Sequence, residues 1–381
     1  MDAAKHELRR IDFLMKFVFR TDASVQIGTG HVMRCLTLAN ALRRQGADCI
    51  FICRAHLGHL LELIREHGHQ VVALTALAEL PLKTPDTTLH HARWLGTDWC
   101  TDAADTQQAI GKLAVDWLVV DHYALDQRWE KAMRSHCQQL MVIDDLADRV
   151  HDCDLLLDQN LGRTAEDYKE LVHAHTTALI GPRYALLRPE FSSLRETSLA
   201  RRARPKVKNL LITMGGVDKD NKTTEVLKSL CQCPLPDDCQ ITVVMGPHAP
   251  WIANVRMQAE LMPWNTRILV NEINMAKLMA ESDLAIGAAG STNWERCCLG
   301  LPTLLLSLAE NQKSTALHLH KIGAALLISE SENNNLAESM KRKITFINEN
   351  PSSLDRLICI SSGITKGFGL QLVIAQLKLK K

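Results

Sequence analysis

Two glycines, a histidine and an arginine stand together in Gly28-Thr29-Gly30-His31-Val32-Met33-Arg34. A neutral imidazole, with an unperturbed pKa of about 6.5, suits proton transfer near neutral pH. A glycine loop at the mouth of a helix brings backbone N–H groups close to a phosphate or another polar ligand. The dinucleotide fingerprint G-x-G-x-x-G is broken, because Met33 stands where its third glycine belongs. A P-loop is excluded as well, since no Gly-Lys-Ser/Thr follows. The plainer reading is a histidine that only caps or packs a helix start, and the local residues leave both readings open.

A second stretch of this kind is Gly287-Ala288-Ala289-Gly290-Ser291-Thr292-Asn293-Trp294-Glu295. Small residues turn the chain after a strand, and a helix opens at Ser291 or Thr292. Unpaired N–H groups at such a start favour a diphosphate. Glu295, one turn on, has the chemistry to accept hydrogen bonds from ribose hydroxyls. Thr292 with Glu295 also fits a capping box, so capping and ligand binding both stand. Gly215-Gly216-Val217-Asp218 is a further glycine turn at a strand end.

Regular alternation of strands and helices positions these loops. Phe17–Phe19 reads as a short buried strand; the first loop follows it. Met33, Leu36, Leu38, Ala39 and Leu42 then recur at helical spacing up to Gly46. Strands are expected at 49–53, 71–74, 117–120, 140–143 and 155–157, with helices between several of them. Strand 117–120 runs into Asp121-His122-Tyr123, at the carboxyl end where ligands of parallel sheets bind. Two prolines at 182 and 189 and the basic run 201–208 with Pro205 predict a linker near 181–205. A second series follows, with strands at 209–214, 241–245, 267–270 and 283–286. The pattern predicts an α/β protein with parallel sheets covered by helices on both faces.

The 381 residues suffice for two domains, and the net charge of +1 supplies no field for nucleic acid or a membrane surface. The sequence reading finds no apolar run long enough to span a bilayer. Residues 1–14 are charged and lack the apolar core of a signal peptide. The twelve cysteines are scattered, and Cys231, Cys233 and Cys239 cluster without a C-x-x-C pair. They read as reduced cytosolic thiols, with no zinc or other metal expected.

Taken together, two doubly wound halves, a glycine-histidine loop and a Ser-Thr-x-x-Glu loop resemble the two-domain GT-B nucleotide-sugar fold. Arg20–Ser24 with Ile27–Leu36 is similar to the UDP-2,4-diacetamido-2,4,6-trideoxy-β-L-altropyranose hydrolases of pseudaminic acid synthesis. Asp121-His122-Tyr123, Gly181–Phe191, Met214-Gly215-Gly216, Ala288–Thr292 and Glu310-Asn311-Gln312 match that family too. The resemblance covers roughly 16–330 and extends to the glycosyltransferases of the peptidoglycan type. It implies two Rossmann-like domains facing a cleft: 16–195 with the catalytic base and 196–381 with UDP, behind an extension of 1–15.

By that resemblance the enzyme hydrolyses a UDP-sugar at its anomeric carbon with inversion. His31 would be the base, with Asp22, Tyr123, Asn311 and Gln312 near the sugar. Gly28, Gly30 and Arg34 belong to the substrate loop, and Arg34 is expected to pack or pair. Gly215, Gly216, Gly290, Ser291 and Thr292 would hold the diphosphate, Glu295 the ribose, and the main chain at Ile273 the uracil. No cofactor is implied; the partner is a small UDP-sugar, with no nucleic acid or membrane, in the cytoplasm. A GT-B glycosyltransferase, a nucleotide-sugar epimerase and a non-catalytic UDP-sugar binding protein share these loops and remain the alternatives.

Overall fold

A computed structural model describes residues 15–76, 89–328 and 335–379. The expected N-terminal extension therefore lies outside the described residues except for Met15. The first half runs β1 (Lys16–Thr21), α1 (Gly30–Arg43), β2 (Asp48–Arg54), α2 (Leu61–Glu66), β3 (Gln70–Leu74), α3 (Trp99–Ile110), β4 (Trp117–Asp121), α4 (Gln127–Met133), β5 (Gln139–Ile143), β6 (Leu155–Asp158) and β7 (Thr177–Ile180). After α5 (Pro189–Arg201) the second half runs β8 (Asn209–Thr213), α6 (Lys222–Leu230), β9 (Gln240–Met245), α7 (Ile252–Glu260), β10 (Asn265–Val270), α8 (Met275–Glu281), β11 (Leu284–Ala288), α9 (Thr292–Cys298), β12 (Thr303–Leu306), α10 (Glu310–Lys321) and β13 (Leu326–Leu327). Three helices end it: α11 (Leu336–Glu349), α12 (Ser352–Ile364) and α13 (Gly369–Leu379).

The strands form two all-parallel sheets, ordered β3-β2-β1-β4-β5-β6-β7 and β10-β9-β8-β11-β12-β13. The central strands of each sheet are buried on both faces, so they are largely apolar and alternate between two cores, while the edge strands β3 and β10 stay partly exposed. Phe17, Phe19, Phe51, Val119 and Met141 enter one core of the first sheet, while Val18, Ile50, Ile52, Leu118 and Val142 enter the other. In the second sheet Ile212, Val243 and Ile286 face one core, and Leu211, Val244 and Ala285 face the opposite one.

The strand order reverses between β1 and β4, where Thr21 pairs with Asp121. It reverses again between β8 and β11, where Thr213 pairs with Gly287. These are the positions at which a parallel sheet leaves a crevice beyond its carboxyl ends. The loop leading to His31, the Gly215-Gly216 turn and the Gly290–Thr292 turn all leave those strand ends.

Three features differ from the sequence reading. The stretch expected as a linker contains α5, a continuous helix through residue 195. Pro189 occupies its first turn, where a missing N–H costs nothing, and Phe191 is buried in a core of the second sheet. The chain also holds a long apolar helical stretch after all: Ser352–Leu377 reaches a mean hydropathy of 1.6 over an 18-residue window. It is two helices, broken after Ile364 and resumed at Gly369. Finally, α13 crosses back. Leu370, Val373, Ile374 and Leu377, spaced on one helical face, pack in a core of the first sheet, and the Leu377 carbonyl accepts a 3.1 Å bond from Trp117 Nε1. A Cβ at Gly369 would lie 2.4 Å from the Ala185 carbonyl oxygen, so this close crossing requires glycine.

Candidate functional site

The loop from β1 to α1 is closed on itself before it reaches His31. Gly28 donates from its N–H to the Ser24 carbonyl at 2.8 Å, and the Ser24 hydroxyl accepts from Gln26 and Ile27 N–H. Gly28 takes a φ of 82°, which favours glycine at this turn. Thr29 then opens α1 without a side-chain cap, leaving the first N–H groups of the helix unspent.

His31 is buried, and its Nδ1 lies 2.6 Å from Asp121 Oδ1. Arg34, one turn further along α1, grips the same carboxylate through Nε at 2.6 Å and Nη2 at 2.7 Å. Burial would raise the pKa of Asp121, but Arg34 and then His31 outweigh it and hold the carboxyl well below its usual range. An ionised carboxylate only accepts, so the proton of neutral His31 sits on Nδ1. Nε2 then carries the lone pair, and it has no protein hydrogen-bond partner among the described residues. Arg34 also donates to Asp145 Oδ2 at 2.7 Å, and Tyr123 donates its hydroxyl to the same oxygen at 2.6 Å. The Tyr123 ring stands edge-on to His31, with centroids 4.5 Å apart.

Asp22 differs from the role the resemblance implies. It is fully buried and takes bonds from Arg20 Nη1 at 2.7 Å and the Arg54 N–H at 2.6 Å. His122 and His56 approach its other oxygen at 3.3 and 3.6 Å. Enclosed in that way, Asp22 joins the end of β1 to β2, and no oxygen faces the cleft. Burial opposes its charge, yet Arg20 and His122 keep the carboxyl well below its usual range.

Across the cleft, Ser291 stands at the N-cap of α9 with no side-chain cap bond, so the capping box suggested by Thr292 and Glu295 is not formed. The Glu295 carboxylate is half-buried and has no hydrogen-bond partner among the described residues. Burial, only partly offset by Arg188, pushes its pKa up to about 7. Arg188 also donates to the Ile273 carbonyl at 3.1 Å, which brings Ile273 into the neighbourhood of Glu295. Asn311 and Gln312 lie in the uncapped first turn of α10; Gln312 accepts at Oε1 from the Leu308 N–H.

The two sides meet. A Cβ built on Gly30 would lie 3.7 Å from Ser291 Oγ across the cleft, and within the second wall one on Gly290 would lie 3.9 Å from Gln312 Nε2. A Cβ on Gly216 would come within 2.5 Å of Thr29 Oγ1, so this approach of the first loop to the Gly215-Gly216 turn needs glycine. His31, Tyr123, Gly28, Gly30 and Arg34 thus form one wall. Gly215, Gly216, Gly290, Ser291, Thr292, Asn311 and Gln312 form the other; Glu295 lies in the first turn of α9, and Ile273 is an exposed residue whose carbonyl Arg188 holds. Asp121 and Asp145 are the members that the residue-by-residue reading did not assign. Their signal was present: Asp121 ends one strongly apolar strand, and Asp145 stands two residues past the end of another.

Comparison of the whole chain decides the architecture. The crystal structure of Acinetobacter baumannii MurG superposes with a TM-score of 0.66 at 15% identity, covering 96% of this chain and 99% of that one. The fold is GT-B. Residues 214–358 of its second half match the glycosyltransferase family 28 C-terminal domain. This GT-B chain is also similar to the UDP-2,4-diacetamido-2,4,6-trideoxy-beta-L-altropyranose hydrolase of Campylobacter jejuni, at 28% identity over 309 residues, 81% of this chain and 97% of that protein. The MJ1062 protein of Methanocaldococcus jannaschii is 27% identical over 303 residues, 78% of this chain; the match spans only 57% of that longer relative.

Proposed function

We propose that this protein hydrolyses a UDP-linked 2,4-diacetamido-2,4,6-trideoxyhexose at C1, with inversion, releasing UDP and the free sugar for pseudaminic acid synthesis. The observation that carries the reading is the Asp121–His31 pair, with Nε2 left without a protein partner at the mouth of the cleft. In the reaction, Nε2 removes a proton from water as the water oxygen bonds to C1. The C1–O bond to the diphosphate breaks, and UDP leaves with the electron pair. Asp121 keeps the imidazole in the right tautomer and stabilises the imidazolium that forms. Positioned base catalysis of this kind supplies about 10²–10⁴ in rate.

UDP is a good leaving group, so the larger need is to stabilise the charge growing on the diphosphate. The unspent N–H groups at the uncapped starts of α9 and α10, and those of the Gly215-Gly216 turn, are the chain's means of doing so. Glu295 would take the ribose hydroxyls, and the main chain at Ile273 the uracil. Water from the His31 wall and UDP on the opposite wall lie on opposite faces of the sugar, which gives inversion. Asp22 is reassigned here from the sugar to holding the first loop in place. A reducing, cytoplasmic setting for the twelve cysteines is part of this reading.

The match to a glycosyltransferase domain supports a second reading, transfer to an acceptor. Incubation with the UDP-sugar alone separates the two, with the anomeric proton followed by NMR. Release of UDP and the inverted free sugar without an acceptor is the expected result. Strict dependence on an acceptor would replace hydrolysis by transfer, and binding without turnover would make the chain a UDP-sugar binding protein.

A further inference from the structure

A cluster of rings adjoins His31 through Tyr123. Tyr123 is edge-on to the imidazole, and its other contacts continue outward: Trp94 stacks on it with centroids 5.6 Å apart and planes inclined by 24°, and His91 lies 5.3 Å away. His91 and Trp94 touch each other at 4.3 Å. Both belong to one short 3-10 turn, Ala92–Leu95, with His91 at its start. Leu95 is buried in a core of the first sheet and anchors this turn. Gly96 closes it with a φ of 72°, and a Cβ there would sit 2.8 Å from His56 Cε1.

The three rings are not equivalent. Tyr123 is 5% exposed and its hydroxyl is committed to Asp145, so it backs the site without offering a free polar group. His91 and Trp94 are half-buried and keep part of their surface open. Trp94 Nε1 has no hydrogen-bond partner among the described residues. Burial, with His90 beside it, pushes the His91 pKa down to about 4, so this ring is uncharged at neutral pH. A ring-lined surface, with the paired Arg149 and Asp148 at its edge and the Arg149 guanidinium 5.9 Å from the Tyr123 ring centre, therefore adjoins the group that must stand within hydrogen-bond reach of the attacking water.

We propose that His91 and Trp94 form the wall on which the hexose of the substrate rests, and that this wall selects sugars with an apolar edge: 6-deoxy, acetamido-bearing hexoses over their 6-hydroxy counterparts. The inference rests on the UDP-sugar reading given above. Aromatic faces gain most from apolar contact. A C6 methyl set on them loses little water, whereas a hydroxymethyl there gives up hydrogen bonds that no ring returns. Apolar pockets discriminate against an added hydroxyl by no more than about 10²-fold, which sets the size of the expected effect.

The test measures two UDP-sugars that differ only at C6, in the wild type, Trp94→Ala, Trp94→Phe and His91→Ala. Melting temperature and UDP affinity are followed on each preparation. Trp94→Ala should raise KM for the 6-deoxy substrate about tenfold, shrink its preference over the 6-hydroxy sugar, and leave UDP affinity within about twofold. Trp94→Phe should restore most of the preference. Unchanged KM and preference in folded Trp94→Ala would overturn the proposal, as would a parallel loss of UDP affinity.

Calorimetry keeps the question open to an answer if the wild type turns over neither sugar. In that case the hydrolase reading fails, and the wall is judged by the excess affinity of UDP-sugar over UDP. That excess should vanish in Trp94→Ala; its survival would sink the wall. Should Trp94→Ala fail to fold, ligand-induced tryptophan quenching decides instead. A signal from UDP-sugar but not UDP, present in the wild type and absent in Trp94→Phe, supports the wall, and identical signals in both overturn it.

Discussion

Asp121 accepts a 2.6 Å hydrogen bond from Nδ1 of His31, a residue ninety positions earlier in the chain. The contact exists because β1 and β4 are neighbours at the point where the strand order reverses. His31 starts the helix after one strand, and Asp121 ends the other. Asp121→Asn would present an amide in place of the acceptor. An amide N–H directed at Nδ1 moves the ring proton to Nε2 and removes the base. Turnover should fall by about 10²–10⁴ with UDP affinity retained. Arg34 would keep only Asp145 as a charged partner, so the melting temperature should fall as well. Turnover per folded molecule near wild type would show that the pair has no catalytic role.

His31→Asn tests the base directly. An asparagine keeps a polar group near Asp121 but cannot accept the proton. Fold and UDP affinity should survive while turnover drops by about 10² or more, because only the transition state uses the transfer. A histidine with a purely structural part gives the reverse: lower stability and nearly intact activity per folded molecule. Measuring melting temperature, UDP affinity and turnover on one preparation separates the two.

Much of this arrangement is written locally. The loop glycines, the apolar strands and the helix after each loop are short-range signals, so the strand-end turns and the helices that follow them were legible in the sequence. What was not legible is long-range. Asp121 is one of many acidic residues until the sheet order brings it beside His31. Asp22 looks available in sequence, yet Arg20, Arg54, His56 and His122 enclose it once β1 and β2 pair. The return of α13 to the first sheet was also hidden, because an amphipathic pattern states which face is buried but not against what. The same applies to α5, where Pro189 reads as a breaker and serves as a helix start.

Glu295 makes a prediction with a definite sign. Its folded pKa is raised to about 7, so ionisation is less favourable in the folded protein than in the unfolded chain. The penalty is absent below the ordinary glutamate range, grows as pH rises towards about 7, and persists above it. Glu295→Gln should therefore raise the melting temperature by a few degrees at about pH 8 and change little at about pH 4. In the same variant UDP should bind roughly tenfold more weakly, while inorganic pyrophosphate is little affected. Equal losses for the two ligands would remove Glu295 from the ribose site. Equal melting temperatures at high pH would show that its charge carries no folding penalty.

A last contact ties the two halves of the cleft together. Thr315 Oγ1, on α10 one turn beyond Asn311, donates to Asn160 Oδ1 at 3.1 Å. Asn160 Nδ2 in turn donates to the Asp145 carbonyl at 3.0 Å. Asp145 receives Arg34 and Tyr123, and Arg34 holds the carboxylate that orients His31. The placement of the second domain is thus linked, bond by bond, to the base. Thr315→Val keeps the shape and removes the donor, leaving Asn160 Oδ1 without this partner. A hydrogen bond of this kind is worth about 0.5–1.5 kcal/mol, so turnover should fall roughly two- to twelvefold. UDP affinity should hold, because the diphosphate loops are untouched, and Thr315→Ser should recover most of the rate. If turnover in Thr315→Val matches wild type while the protein remains folded, the contact merely joins two surfaces. If UDP affinity falls in step with turnover, the threonine acts on α10 and its ligand, not on the alignment of His31.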